Sequence, residues 1–296
     1  MKQFTLTLIL TVLCSIQAAA QETYLLPVSQ PVTNDTEKVS KFNGDKVLTD
    51  VVKPAIEVYL PDADNANGCA VILCPGGALR ALSWGSDVEK MAKFLNKKGI
   101  AAIGLKYHLN TTSMPRDMKM PPTVDVTGFE QFPKADANPL HYAAGDSILQ
   151  LAADDAKAAI RLVRQHAEEW HIDVQKIGYL GFSAGGGVAI AATTQATEAV
   201  EQPNFLCTNF GPALAEVNVP TPAPPLLIMS RAEHPNVAAG LLALFLEWKK
   251  AGGNAEIHLY GDGAGPYQLM PQTGSTTTEA WSQQFVLWLQ AKGFAR

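Results

Sequence analysis

The sequence predicts an α/β protein: a mostly parallel central sheet with helices on both faces. Short, continuously apolar runs such as Cys69-Ala-Val-Ile-Leu-Cys74 fit strands covered on both sides. Between such runs lie stretches with apolar residues at helical spacing. A turn of small residues, Gly181-Phe-Ser183-Ala-Gly185, joins one apolar strand to an alanine-rich helix. Strands alternating with helices in this way place a functional site at the carboxyl ends of the strands.

The chain of 296 residues has ordinary apolar content, enough for one large core. Its net charge of −5 gives no electrostatic case for nucleic acid as a partner. The N-terminus has the order of an export signal: Lys2, an apolar run from Phe4 to Ile16, then Ala18-Ala19-Ala20 before Gln21. The run is too short and wrongly flanked for a membrane anchor. Leu13 stands where a lipoprotein signal wants a small residue, so Cys14 is not read as a lipid attachment site. The expected division is a signal peptide over 1–20, an N-terminal extension over 21–53 and one α/β domain over 54–296. The mature protein is then periplasmic or secreted, with no membrane anchor. Cleavage leaves Cys69, Cys74 and Cys207; the first two bracket one strand and point to opposite faces, so no pairing is expected. No cysteine spacing resembles a metal site, and no metal or cofactor is implied.

In chain order, the extension carries one early strand. Ala55–Pro61 alternates as an edge strand ending at proline. Cys69–Cys74 is a central strand, and Pro75-Gly76-Gly77-Ala78 follows at once. Glycines there either free backbone N–H groups for a ligand or make an ordinary strand-to-helix turn. Asp87–Lys98 reads as a helix stopped by Gly99, and 100–107 as another buried strand. Residues 109–140, with five prolines and the apolar side chains Met114, Met118, Met120, Phe129 and Phe132, form a long loop that is either a lid or binding loop or partly disordered. A strong helix covers 146–170; Asp154, Asp155 and Arg164 on it are expected to be ion-paired or solvated. After the glycine-rich turn and its helix come a strand near 205–210 and a proline-rich linker over 219–225. A strand at 226–230, a helix at 237–250, a strand at 255–260 and a last helix at 279–292 complete the pattern.

Gly181-x-Ser183-x-Gly185 in a strand–turn–helix setting is the nucleophile-elbow pattern. The alternative is a glycine-rich turn whose serine only caps the helix. With Leu73-Cys-Pro-Gly-Gly77, Lys106-Tyr-His-Leu109, Trp170-His-Ile-Asp173, Gly181-Phe-Ser-Ala-Gly-Gly186 and Ala255-Glu-Ile-His-Leu-Tyr260, the chain resembles the α/β-hydrolase superfamily. It is similar in particular to exported bacterial esterases of the acetyl-xylan and feruloyl type. The resemblance implies the α/β-hydrolase fold, Ser183 as nucleophile and the amides of Gly77 or Ala78 and of Ala184 as the oxyanion hole. It also implies a small-molecule ester or acylated oligosaccharide as substrate.

The resemblance breaks at the partners of the serine. The family places an Asp after the strand at 226–230 and a His after the last strand. Here His234 stands at the aspartate's place, and Gly265 falls at the histidine's when counted from Tyr260; no histidine follows His258. A serine hydroxyl is a poor nucleophile until a base takes its proton. His234, on a loop at the rim, is either a replacement base or an exposed loop histidine. His258 lies within a strand and reads as structural, and Glu233 or Asp262 would need a strongly raised pKa to serve. Nothing ties His108, His166 or His171 to Ser183, and His141 borders the long loop. Three readings follow: an esterase with a relocated base, a pseudohydrolase that binds a sugar or ester, and a scaffold that keeps the fold for partner binding alone.

Overall fold

The computed structural model describes residues 22–27, 35–110, 136–138, 147–232, 237–261 and 280–296. Its centre is a sheet of eight strands. These are β1 (Glu22–Leu25), β4 (Ala55–Tyr59), β7 (Ala101–Lys106), β5 (Ala70–Cys74), β8 (Ile177–Phe182), β9 (Phe205–Asn209), β10 (Leu226–Arg231) and β11 (Ala255–Tyr260), given in their order across the sheet. The six from β7 to β11 in that order are parallel, and β4 runs against both β7 and β1. A smaller antiparallel sheet joins β2 (Lys38–Phe42), β3 (Asp45–Thr49) and β6 (Ala81–Ser83). Together these are the mostly parallel sheet and flanking helices that the apolar runs predict.

The helices are α1 (Met91–Asn96), which continues a π-helical turn at Trp84–Lys90, α2 (Ser147–Gln165), α3 (Ala184–Thr194), α4 (Val237–Lys250) and α5 (Trp281–Ala291). The connections through α2, α3 and α4 step along the sheet in one direction, and the one through α1 steps back. Right-handed crossovers therefore put α1 on the face opposite α2, α3 and α4. Side chains agree. Phe182 and Phe205 meet Trp281 and Trp288 of α5 edge-on, and a Cβ on Gly104, whose register neighbours share that face, would strike Val88 and Trp84. On the other face Tyr179 Oη donates to the Ala156 carbonyl of α2 at 2.8 Å.

Two expectations need correction. The segment before residue 54 contributes three described strands, not one. And β4 is not the sheet's edge, because β1 pairs along its outer side. Alternation alone cannot tell an edge strand from one capped by a short neighbour from far away in sequence. The helix expected at 87–98 starts at Trp84 and ends by 96, with Gly99 at φ 73° as the stop. Most of the long loop at 109–140 lies outside the described residues. Cys69, Cys74 and Cys207 are free and buried, as the strand geometry requires. Burial pushes the Cys69 thiol up to about 12 and the other two further, so none is a ready nucleophile.

Candidate active site

Ser183 follows β8, in the middle of the sheet, and turns the chain into α3. Its backbone sits at φ 49° and ψ −125°, a conformation that costs a non-glycine residue about 1–3 kcal/mol. The surroundings enforce it. Ser183 N–H donates to the Asn209 carbonyl at 3.0 Å, and the Ser183 carbonyl accepts from Gly186 N–H at 2.8 Å and Gly187 N–H at 3.3 Å. A Cβ on Gly185 would lie 2.1 Å from the Cys74 carbonyl oxygen and 2.4 Å from that of Pro75. One on Gly211 would lie 2.3 Å from the Ser183 carbonyl oxygen. The glycines are therefore a steric requirement of the turn. The serine is partly exposed while the helix behind it is buried. That helix directs its positive dipole end at the serine.

Cys74 pairs in register with Gly181, so the Pro75–Ala78 loop leaves the sheet beside the serine. Gly77 has φ 138°, and a Cβ there would meet the Ala81 carbonyl oxygen at 2.0 Å; Ala78 and Leu79 follow at φ 56° and 57°. The first three residues of the loop are each tied down. Tyr107 Oη donates to the Pro75 carbonyl at 2.6 Å, Asp87 Oδ2 accepts from Gly76 N–H at 2.9 Å, and the Gly77 carbonyl accepts from Arg80 and Ala81 N–H, both at 3.0 Å. A Cβ on Gly76 would come within 3.1 Å of Ser183 Cβ, so loop and serine are packed against each other. Among the described residues, the N–H groups of Gly77, Ala78 and Ala184 donate no hydrogen bond. Unspent amides beside a serine at a helix N-terminus can stabilise an oxygen that gains negative charge.

The structure thus brings together Ser183, Gly77, Ala78 and Ala184. His234, Glu233, Asp262, His141 and Gly265 lie outside the described residues. Three of the other histidines are engaged elsewhere. His108 Nδ1 lies 2.8 Å from Asp155 Oδ2, which also accepts from the His108 N–H at 2.7 Å. Burial works against the charge on His108, but the hydrogen bond and charge of Asp155 outweigh it and raise the pKa. His166 stacks on Trp170 with ring centroids 4.7 Å apart and bonds Glu169, and His258 bonds Glu256 on its own strand. Asp154 pairs with Lys157, and Arg164 holds the carbonyls of Ala199 and Gln202. Asp154, Asp155 and Arg164 are therefore all ion-paired or hydrogen-bonded, in line with their non-catalytic reading. Among the described residues no group of three or more His, Cys, Asp or Glu side chains is placed to hold a metal ion. None of the helices there is long and apolar enough to cross a membrane.

Two participants were not visible in the sequence. Asp87 turns back from the π-helical turn to the Gly76 amide, and Gly211 packs under the serine. An acid in a helix's first turn and a Gly-Pro pair are too common to single out.

The BD-FAE family model matches residues 132–217, a span that includes Ser183 and the strand before it. An acetylxylan esterase from Xylanibacter ruminicola is 26% identical over 183 residues, which are 62% of this chain and 29% of that relative. The chain therefore spans less than a third of that curated relative. Among solved structures, an acetyl ester-xyloside bifunctional hydrolase from Caldicellulosiruptor lactoaceticus aligns with TM-score 0.57 at 22% identity, over 82% of this chain and 90% of that one. A carboxylesterase from Lactobacillus plantarum aligns with TM-score 0.60 at 16% identity, over 88% and 99%. A thermophilic esterase from Thermogutta terrifontis aligns with TM-score 0.59 at 20% identity, over 88% and 92%. With the sheet order, the serine turn and these likenesses together, the chain has the α/β-hydrolase fold and is esterase-like in sequence.

Proposed function

We propose that this is an exported esterase-like protein whose Ser183 pocket takes a small-molecule ester or an acylated sugar and turns it over slowly or not at all. The observation that carries the reading is Ser183 in a strained backbone at the N-terminus of α3, pressed against the Gly76–Gly77 loop. A scaffold kept for partner binding alone has no use for that strain or for unspent amides beside it. The acylated-sugar class rests on the acetylxylan esterase likeness, and export rests on the residues before Gln21.

In a productive encounter, Ser183 Oγ attacks the acyl carbon, and the amides of Ala184 and of Gly77 or Ala78 hold the developing oxyanion. His234 is the leading candidate to take the serine's proton. Slow turnover follows because no histidine occurs after His258, where the fold's base is expected. An enzyme that has lost a member of such a triad retains only ~10³–10⁴-fold catalysis over water.

The experiment is p-nitrophenyl acetate hydrolysis by the mature protein beside Ser183→Ala and His234→Ala. The expected result is a rate within a small factor of Ser183→Ala, with binding of acylated xylo-oligosaccharide retained. A vigorous rate lost in both variants would establish an esterase with a relocated base instead. A pocket that neither binds nor hydrolyses any ester would leave the scaffold reading.

A further inference from the structure

Asp87 is a buried carboxyl group that the ester chemistry of Ser183 does not use. It is 8% exposed and belongs to the π-helical turn that follows the Pro75–Ala78 loop. Its Oδ2 accepts the Gly76 N–H at 2.9 Å. An ideal Cβ on Gly76 would lie 3.4 Å from that same oxygen and 3.1 Å from Ser183 Cβ, so Asp87 and Ser183 flank one glycine.

The other oxygen of Asp87 meets a proton count that does not close when both neighbouring acids are ionised. Ser86 Oγ lies 2.9 Å from Asp87 Oδ1 and 2.9 Å from Asp45 Oδ2. The hydroxyl has one proton, so one of two carboxylates would face only its lone pairs. A proton on Asp87 Oδ1 closes the set: Asp87 O–H donates to Ser86 Oγ, Ser86 O–H donates to Asp45, and Gly76 N–H donates to Asp87 Oδ2. The charged surroundings agree. Burial, the largest influence, pushes the Asp87 carboxyl up to about 7. Asp45 on β3 adds to this, while the Gly76 amide, the Ser86 hydroxyl and Lys90 oppose it. Tyr107, packed beside the loop at the end of β7, is held neutral by its own burial.

We propose that Asp87 is the positioning residue of the Ser183 pocket, fastening the Pro75–Ala78 loop as the neutral acid. It deepens the reading given under Proposed function and rests on that reading for the loop's purpose. Ionised, Asp87 would set a negative charge behind Gly76, against any anion the loop amides hold. Protonation therefore favours both the fold and the pocket. The sign follows: a carboxyl raised from its unfolded value near 4 stabilises the fold fully below that pH, and stability falls as pH rises from about 4 through about 7.

The test measures unfolding equilibria from pH 5 to 9 and amide hydrogen exchange across residues 75–79 for wild type, Asp87→Asn, Asp87→Ala and Asp45→Asn. Asparagine keeps the acceptor for Gly76 and a donor for Ser86. Relative to Asp87→Asn, the wild-type folding constant should fall by about 50-fold between pH 5 and pH 7, close to one proton per molecule until the folded carboxyl itself begins to ionise. Asp87→Asn should protect the Gly76 amide as wild type does, and Asp87→Ala should lose that protection. Asp45→Asn should move the wild-type midpoint to lower pH. Parallel pH curves for wild type and Asp87→Asn, equal protection in Asp87→Ala and Asp87→Asn, or an unmoved midpoint in Asp45→Asn would each overturn the proposal. The isosteric Asp87→Asn keeps the test decisive if Asp87→Ala fails to fold. Binding of acylated xylo-oligosaccharide by the wild-type protein reports on the pocket separately. Absent binding with the expected pH curve removes the ester-pocket reading and leaves the Asp87 fastening standing; binding with parallel pH curves does the reverse.

Discussion

The two halves of the candidate site are built from different materials. At the carboxyl ends of β5 and β8 the parts are backbone: a strained serine, glycines with no room for a Cβ, and amides at a helix end. After β10 and β11 the resemblance calls for single side chains, at positions outside the described residues, and there we propose that the sequence departs from it, with His234 and Gly265 in place of Asp and His. The difference is instructive. Backbone geometry is over-determined by packing, so no single substitution remodels it. A side chain on a surface loop can change without cost to the core.

The comparison can be broken first at its rigid half. Gly185→Ala forces a methyl group against two carbonyl oxygens that it would meet at 2.1 and 2.4 Å, and both belong to the neighbouring strand end and loop. A loss of at least about 4 kcal/mol, read as failure to accumulate folded protein or as a collapsed urea midpoint, is expected. A variant near wild-type stability would show that loop and elbow can part. At the soft half, His234→Asp combined with Gly265→His restores both family positions. Hydrolysis of p-nitrophenyl acetate should then rise by ~10²–10⁴-fold, the scale of general-base catalysis, and vanish on adding Ser183→Ala. No gain would mean that the pocket itself has drifted, not only its base.

A smaller effect tests whether the histidines are structural. His108→Ala leaves Asp155 buried without the imidazole, at a cost of about 3 kcal/mol in urea unfolding. Because the His108 pKa is raised, its side of the pair contributes fully below the unfolded value near 6.5 and fades as pH rises through the folded one, while burial raises the Asp155 carboxyl, so the pair also weakens once Asp155 protonates in acid. Indifference of stability to His108→Ala would free that residue for another role. The smallest effect is a gain. Ser183→Gly relieves the positive φ and should stabilise the protein by about 1 kcal/mol, visible as a higher urea midpoint with unchanged slope. A loss instead would mean that the serine side chain contributes packing which outweighs its strain.

Much of the rigid half is legible in the sequence. Cys69–Cys74 is apolar throughout because both faces of β5 are covered, and Gly181-x-Ser183-x-Gly185 announces its turn because no other residues fit. What is not legible depends on distant neighbours. Ala55–Tyr59 alternates like an edge strand, yet β1 pairs outside it. Asp155 looks like one more helical acid until His108, 47 positions earlier, lies against it. Asp87 gives no sign of the Gly76 amide it holds, because that bond depends on how one helical turn is seated on the sheet.

By itself, then, the sequence determined the strand and helix order, the position of Ser183 in its turn, and the lack of a histidine after His258, since periodicity, steric exclusion and composition are local properties of the chain. Only the tertiary structure decided which strand caps the sheet, which acid is buried beneath the glycine loop, and how closely that loop presses on the serine. Those are contacts between segments far apart in the chain, and their energies depend on distance and desolvation, which no local pattern records.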